Sequence, residues 1–198
     1  GSDKEVLREG DEVYVAKAKA RAIVVEACVQ TEGPYKGLTR IRYPSGTLYH
    51  VRRKELSLVY GCKTVLVVAE TKNFRALATS QVGERDRALE IGCACGLTSL
   101  LLAQKASHVV AVDIDASLVR DCSHKYPSPS LEFHQLDCLS ERERLAELGA
   151  GSSKVFIDIN GNRDGATVLQ AIAVVAQTLA PEVIVVKSQQ LAGCLRGR

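Results

Sequence analysis

The sequence predicts an α/β protein: a doubly wound, mostly parallel sheet over residues 61–198, preceded by a small all-β barrel over residues 9–60. Three observations carry this. Before residue 60 only short strand patterns and turns occur. After it, strand-like and helix-like segments alternate, the rhythm of a parallel sheet. Several of the later strands are also apolar with little alternation, as expected when helices cover both faces of a sheet.

In the first part, residues 12–15 and 22–27 read as strands. A Gly/Pro-containing loop follows, then strands at 38–43 and 47–52. Pro44-Ser45-Gly46 joins them; proline fixes φ and glycine accepts positive φ. Residues 54–59 would close the set. With a three-residue loop at 44–46, Arg40 faces His50 and Arg42 faces Leu48. Arg40, Arg42, His50 and Arg52 then share one face, and Ile41, Tyr43, Tyr49 and Val51 turn to the core.

The segment from Gly33 to Lys54 holds Lys36, Arg40, Arg42, Arg52, Arg53 and Lys54, no acidic residue, and the interleaved Tyr35, Tyr43 and Tyr49. A basic face on a small barrel suits a phosphate backbone. Arg40, Arg42, His50, Arg52 and Arg53 are therefore candidate nucleic-acid contacts; a solvated face balanced by nearby acids is the competing reading. Gly10-Asp11-Glu12-Val13-Tyr14-Val15, Tyr43-Pro44-Ser45-Gly46 and Val51-Arg52-Arg53-Lys54-Glu55-Leu56 together resemble Tudor and KOW-type SH3-like barrels over roughly residues 9–60.

Residues 63–69 form a further strand that either part could own. Residues 70–82 read as a helix with Thr71 as N-cap and Phe74, Leu77 and Ala78 on one face. Strands then fall at 87–91, 108–112, 131–135, 154–157 and 182–186, with helices at 96–104, 116–124, 141–148 and 166–179 between them. Right-handed crossovers give a doubly wound domain.

The first of these strands runs into Glu90-Ile91-Gly92-Cys93-Ala94-Cys95-Gly96, and a helix follows directly. Glycines at a strand-to-helix turn let a ligand approach the backbone. Asp113 ends the next strand, about 20 residues beyond Gly92, where a Rossmann domain holds ribose hydroxyls. A dinucleotide would need a third glycine where Leu97 stands, and its pyrophosphate would be repelled by Glu90. A carboxylate at the loop mouth suits a cationic ligand.

The stretch from Ala88 to Gly96 resembles motif I of class I S-adenosylmethionine-dependent methyltransferases. Val110-Ala111-Val112-Asp113-Ile114-Asp115, Phe133-His134-Gln135-Leu136-Asp137-Cys138 and Val155-Phe156-Ile157-Asp158-Ile159-Asn160 resemble the family's next three strand ends, in its order and spacing. The resemblance implies S-adenosyl-L-methionine as cofactor. It places Gly92, Cys93 and Gly96 along the methionine part with Glu90 behind them. It gives the ribose to Asp113, packs Ile114 on adenine, and assigns the adenine edge to Asp137 and Cys138. Asp115 is expected to cap the following helix, and Cys93 and Cys95 to be small loop residues.

Two departures stand out. Ala94 replaces the middle glycine, and the family's C-terminal hairpin is absent, since only ten residues follow Ser188; residues 63–69 are a candidate for the vacant edge. Methyl transfer from a sulfonium depends mainly on alignment and desolvation. A base is needed only when the acceptor must lose a proton. Asp158, Asn160 and Lys187 are the candidate catalytic residues at the strand ends, with Asn162, Arg163, Asp164 and Ser188 beside them. Asp158-Ile159-Asn160-Gly161 lacks the proline and aromatic of base-amine methylating enzymes. A second carboxylate after the fifth strand is missing, so no metal is expected.

Composition sets the remaining bounds. Net charge is +3 at pH 7, which permits an anionic partner without demanding one. Seven cysteines without CxxC or Cys/His metal spacing read as reduced thiols in an intracellular protein. No apolar run approaches a membrane span. Residues 1–8 read as a tail whose Gly1-Ser2 is a tag remnant, and the absence of methionine reads as a piece cut from a longer protein. The function expected is a methyltransferase acting on a macromolecule presented by the barrel, RNA ahead of protein. The alternative is a module that binds the cofactor, a nucleic acid or a protein without turnover.

Overall fold

Alternation of buried and exposed side chains shapes the first of two units, Gly1–Tyr60, and strand–helix alternation the second, Gly61–Arg198. The computed structural model describes residues 6–59, 63–159 and 164–196.

Unit 1 contains β1 (Glu12–Val15), β2 (Ala20–Glu26), β3 (Thr39–Arg42), β4 (Leu48–Val51), a 3-10 turn (Arg53–Glu55) and β5 (Leu56–Leu58). They form one antiparallel sheet in the order β4-β3-β2-β1-β5. Val13, Val15, Ala22, Val24, Ile41, Val51 and Leu56 make its core. Among the described residues no ladder joins β4 to β5, so the hydrogen bonding is that of an open sheet and not of a closed barrel. The strand expected at 54–59 begins instead with the 3-10 turn, which the Glu55 N–H closes on the Arg52 carbonyl at 2.9 Å.

The hairpin register pairs Arg40 with His50, Ile41 with Tyr49 and Arg42 with Leu48. Ile41 and Val51 are buried, and Tyr43 packs against the same core. Tyr49 was expected there too but is 60% exposed: β4 is an edge strand, and no described residue covers its ring.

Unit 2 runs β6 (Thr64–Val68), α1 (Thr71–Ser80), β7 (Arg87–Ile91), α2 (Leu97–Ala103), β8 (His108–Asp113), α3 (Ala116–Lys125), β9 (Leu131–Gln135), α4 (Arg142–Leu148), β10 (Lys154–Ile157), α5 (Gly165–Leu179), β11 (Val183–Lys187) and α6 (Gln189–Arg196). Among the described residues its strand ladders are all parallel, in the order β6-β11-β10-β7-β8-β9. β6 therefore occupies the edge beside β11, from the N-terminal side. The order reverses between β7 and β10, and a doubly wound sheet opens a crevice at such a point.

Period-two alternation splits the sheet side chains between two helical layers. Leu89, Ile91, Val155, Ile157, Ile184 and Val186 pack with Leu145 of α4 and Val168, Ala171 and Val175 of α5. Glu90 and Phe156, paired across β7 and β10, point to the opposite face. There Phe156 meets Phe74 of α1 edge-on, with ring centroids 5.6 Å apart. Thr71 does not cap α1 as expected; the N-cap is Glu70, with no side-chain cap bond. The Thr71 hydroxyl is engaged elsewhere, accepting from Lys187 Nζ at 3.2 Å. No described helix is long and apolar enough to cross a membrane.

Phe156 and Phe74 are both fully buried, so Phe156→Ala opens a cavity that α1 cannot fill by collapse. Denaturant unfolding should show a loss of about 3–5 kcal/mol. A loss below about 1 kcal/mol would mean that α1 is not held by this packing.

Candidate active site

β7 delivers the loop, and neighbouring backbone dictates its residues. The N–H groups of Gly92 and Cys93 both donate to the Val112 carbonyl of β8, at 2.8 and 3.0 Å. Gly92 has φ 86°, and a Cβ there would lie 2.1 Å from the Asp158 carbonyl oxygen at the end of β10. Gly96 has φ 76°, and its Cβ would press on the Tyr126 ring and Cys122 Sγ. The sequence suggested that these glycines make room for a ligand; the structure shows that neighbouring parts of the protein already require them. Ala94 takes φ 46°, a left-handed conformation costly for a residue with a Cβ. Its N–H donates to Asp113 Oδ2 at 2.8 Å, which holds the loop in place.

A cavity of about 580 Å³ lies at the carboxyl ends of the strands, bordered by the ends of β7, β8 and β10. That volume is within the usual range for a small-molecule site. One wall is apolar: Ile114, which is 56% exposed, with Leu118 and Leu136. Beside it stand Asp113 and Asp137. Asp113 Oδ1 accepts from the Asp115 N–H at 3.1 Å, so each oxygen holds one backbone donor and keeps capacity for a ligand hydroxyl. Asp137 Oδ1 accepts from the Leu139 N–H at 3.0 Å, and its own N–H donates to Glu141. Cys138 is buried and still reaches the wall. Asp115 caps α3 through the Ser117 and Leu118 N–H groups, as expected, and its bonds with Ser117 and Leu118 lower its pKa. An apolar slot for a ring, flanked by acceptors for hydroxyl and amine groups, fits an adenosine.

Three expected cofactor contacts are placed differently. Glu90 is not a carboxylate at the loop mouth. It is 2% exposed, on the sheet face below the loop, and accepts from Ser99 Oγ at 2.5 Å. Burial, with Asp158 and Asp113 nearby, pushes its pKa up to about 8, against the opposing influence of Ser99 and Arg75. Cys93 is buried as well, and burial holds its thiol far above the ordinary range. Gly96 is packed under α3. None of these three is among the residues lining the cavity.

On the far wall Lys187 Nζ donates to Asp158 Oδ2 at 2.6 Å, both half-buried. The structure thus brings together two of the three candidate catalytic residues. Asn160 lies outside the described residues, with Asn162 and Arg163. Asp164 caps α5 by accepting from the Thr167 N–H, and Ser188 Oγ accepts from the Leu191 N–H at the start of α6, so both serve helix ends. Among the described residues no three His, Cys, Asp or Glu side chains group as metal ligands. Lining residues that the motifs did not reveal include Leu118, Leu139, Ile159 and Thr167. Leu118 lies in the first turn of α3, four residues beyond Ile114; the others carry no motif.

In unit 1, Arg42 and Arg52 are exposed and His50 stacks on Tyr35, with centroids 4.1 Å apart and planes 9° from parallel. Arg40 is half-buried, and its Nε is buried without a hydrogen-bond partner. Arg53 donates to the Leu56 carbonyl at 2.9 Å, so at least part of its guanidinium serves the fold.

The burial of Glu90 sets a pH dependence. Its folded pKa lies above the unfolded value, so the folded protein retains a proton that the unfolded chain releases. The stability this group contributes is complete below about pH 4.5 and is lost as pH rises through about 8. Glu90→Gln should match the wild type in thermal midpoint near pH 5 and exceed it near pH 9. Parallel melting profiles across that range would show that Glu90 is not held neutral.

Residues 89–142 match the methyltransferase domain family, a span from β7 to the start of α4 that includes the loop, Asp113 and Asp137. No curated protein matches the chain. Among solved structures, similarity is found to an S-adenosylmethionine-bound amino pentose methyltransferase from Micromonospora echinaspora, at 22% identity and TM-score 0.43, over 58% of this chain and 46% of that one. A dimethyladenosine transferase from Plasmodium falciparum matches at 16% identity and TM-score 0.40, over 54% and 38%. A 23S rRNA methyltransferase matches at 19% and 0.43, over 59% and 44%. This chain thus covers less than half the length of each, and no substrate is carried over from them. The family match spans β7, β8 and β9 with the loops that follow them, which form part of the cavity wall.

Proposed function

We propose that the protein methylates RNA, with unit 2 holding the cofactor and unit 1 holding the nucleic acid. In this reading Asp113 takes the ribose hydroxyls, Ile114 packs on the adenine, and Asp137 with the Cys138 backbone reads its edge. Gly92 and Ala94 border the methionine part. The bound cofactor supplies a methyl group on a sulfonium, already an excellent leaving arrangement. The chain contributes alignment and exclusion of water. Asp158, held by Lys187, is placed to orient the acceptor and to take its proton where the acceptor must lose one.

The observation that carries the RNA assignment is the unit 1 hairpin. Its register puts Arg40, Arg42, His50 and Arg52 on one face, and the orphaned Arg40 Nε lacks the acceptor that a phosphate oxygen would provide. The Tyr35–His50 stack lies beside it and offers a platform for a base. The strand order of unit 1, with β5 returning beside β1, supports the SH3-like resemblance of its sequence.

Transfer of tritium from labelled cofactor into fractionated cell extract tests the proposal: label should enter RNA. The Arg40→Glu/Arg42→Glu pair should lower RNA affinity more than tenfold and flatten its salt dependence, by about 0.7 in log–log slope for each single-strand phosphate no longer neutralised. Binding of S-adenosylhomocysteine should not change. Label confined to protein or small molecules would overturn the RNA assignment.

A further inference from the structure

Two free thiols meet at the loop after β7, and the proposed methyl transfer uses neither. Cys95 is exposed on that loop, between Ala94, which lines the cavity, and Gly96. Cys122 is buried on α3. Its Sγ donates to the Ala94 carbonyl at 3.3 Å. On the other side of Cys95, the same Sγ lies 3.2 Å from where a Cβ on Gly96 would stand. Cys122 thus abuts the chain on both sides of Cys95, and the first contact alone brings its sulfur within about 6 Å of the Cys95 Cα. Disulfides join cysteines whose Cα atoms lie roughly 4.4–6.8 Å apart, a spacing compatible with these contacts.

The two thiols differ in exposure, and that orders their chemistry. Burial, and then the neighbouring Cys95, push the Cys122 thiol up, so it stays protonated and shielded while Cys95 meets solvent. An exposed thiol with a second one behind it can react with peroxide and then be resolved from within. We propose that Cys95 and Cys122 form a reversible disulfide under hydrogen peroxide, and that this disulfide weakens cofactor binding. The Cys95 thiolate attacks one peroxide oxygen, the O–O bond breaks, and hydroxide leaves; Cys95 becomes a sulfenic acid. The Cys122 sulfur then attacks the Cys95 sulfur, the S–O bond breaks, and the departing hydroxide takes the Cys122 proton and leaves as water. Peroxide is reduced, the sulfur pair is oxidised, and an external thiol reverses the step. Once its proton is gone, Cys122 no longer donates to the Ala94 carbonyl. Ala94 holds a left-handed φ of 46°, and its N–H is bound to Asp113, the proposed ribose acceptor. Displacing Ala94 therefore disturbs both the cavity lining and Asp113. The proposal rests on the S-adenosylmethionine reading of the cavity and adds regulation to it.

Mass spectrometry of the full chain, treated with hydrogen peroxide, alkylated and digested, reports the bond. The expected product joins the peptide of Cys95 to that of Cys122, fragmentation assigns the loop sulfur to Cys95 and not Cys93, and dithiothreitol separates the pair. Calorimetry on the oxidised protein should show S-adenosylhomocysteine bound roughly tenfold or more weakly than by the reduced protein, with recovery after dithiothreitol. In Cys95→Ser and in Cys122→Ser the cross-link should be absent and peroxide should leave the affinity of each variant unchanged. Should the buried Cys122→Ser not fold, Cys95→Ser decides alone. Cys95 left reduced, joined to Cys93, or oxidised only to the sulfinic acid would overturn the disulfide. A Cys95–Cys122 bond with unchanged affinity would overturn its control of the site. A reduced wild type that binds no S-adenosylhomocysteine, while still forming the cross-link, would sink the cofactor reading and the regulatory half of the proposal with it.

Discussion

The site depends on one close approach. Where β7 ends, the Asp158 carbonyl of β10 stands where the side chain of residue 92 would begin. Only glycine fits, and its positive φ turns the chain away from the sheet. The turn is then fixed from the other side, by the Val112 carbonyl under Gly92 and Cys93 and by the Asp113 carboxylate on the Ala94 N–H. The strand order reverses between β7 and β10, so the crossovers on either side diverge and the cavity opens. Asp113 therefore has two tasks: one lone pair on each oxygen holds backbone, and the remainder faces the cavity.

Much of this was legible in the sequence because it is local. Strand and helix periodicity is read over a few residues, and the expected strands at 87–91, 131–135 and 154–157 coincide with β7, β9 and β10. The hairpin register followed from turn length alone, since Pro44-Ser45-Gly46 pins Arg40 opposite His50. What the sequence could not show is depth. Glu90 looks like a charge at a loop mouth, yet the strand period points it into a helical layer, where Ser99 meets it and burial keeps its proton. Tyr49 sits at a core-facing position, but an edge strand lacks the neighbour that would cover it. Thr71 looks like a helix cap, and only the folded sheet reveals that Lys187, far along the chain, takes its hydroxyl. Closure of unit 1 into a barrel depended on whether β4 and β5 would pair, a long-range contact that no local pattern specifies.

Charge is distributed unevenly in unit 2. The cavity is bordered by acids that suit ribose, an adenine amine and a sulfonium. The group expected to complement that cation, Glu90, is buried below the loop with its pKa raised by that burial, so the aspartates that line the cavity carry the field. At the far wall Lys187 offsets one of them, and the resulting pair adjoins the part of the cavity opposite Ile114. Unit 1 concentrates positive charge on one face of a single hairpin, although the chain as a whole is only weakly basic.

The central claim, that this cavity holds S-adenosylmethionine by its ribose, is tested most directly by calorimetric titration of S-adenosylhomocysteine into the wild type and into Asp113→Ala. The account predicts saturable binding by the wild type, at least a tenfold weaker affinity in Asp113→Ala, and no heat with NAD. No binding by the wild type at millimolar ligand, or equal affinity in the two proteins, would contradict it.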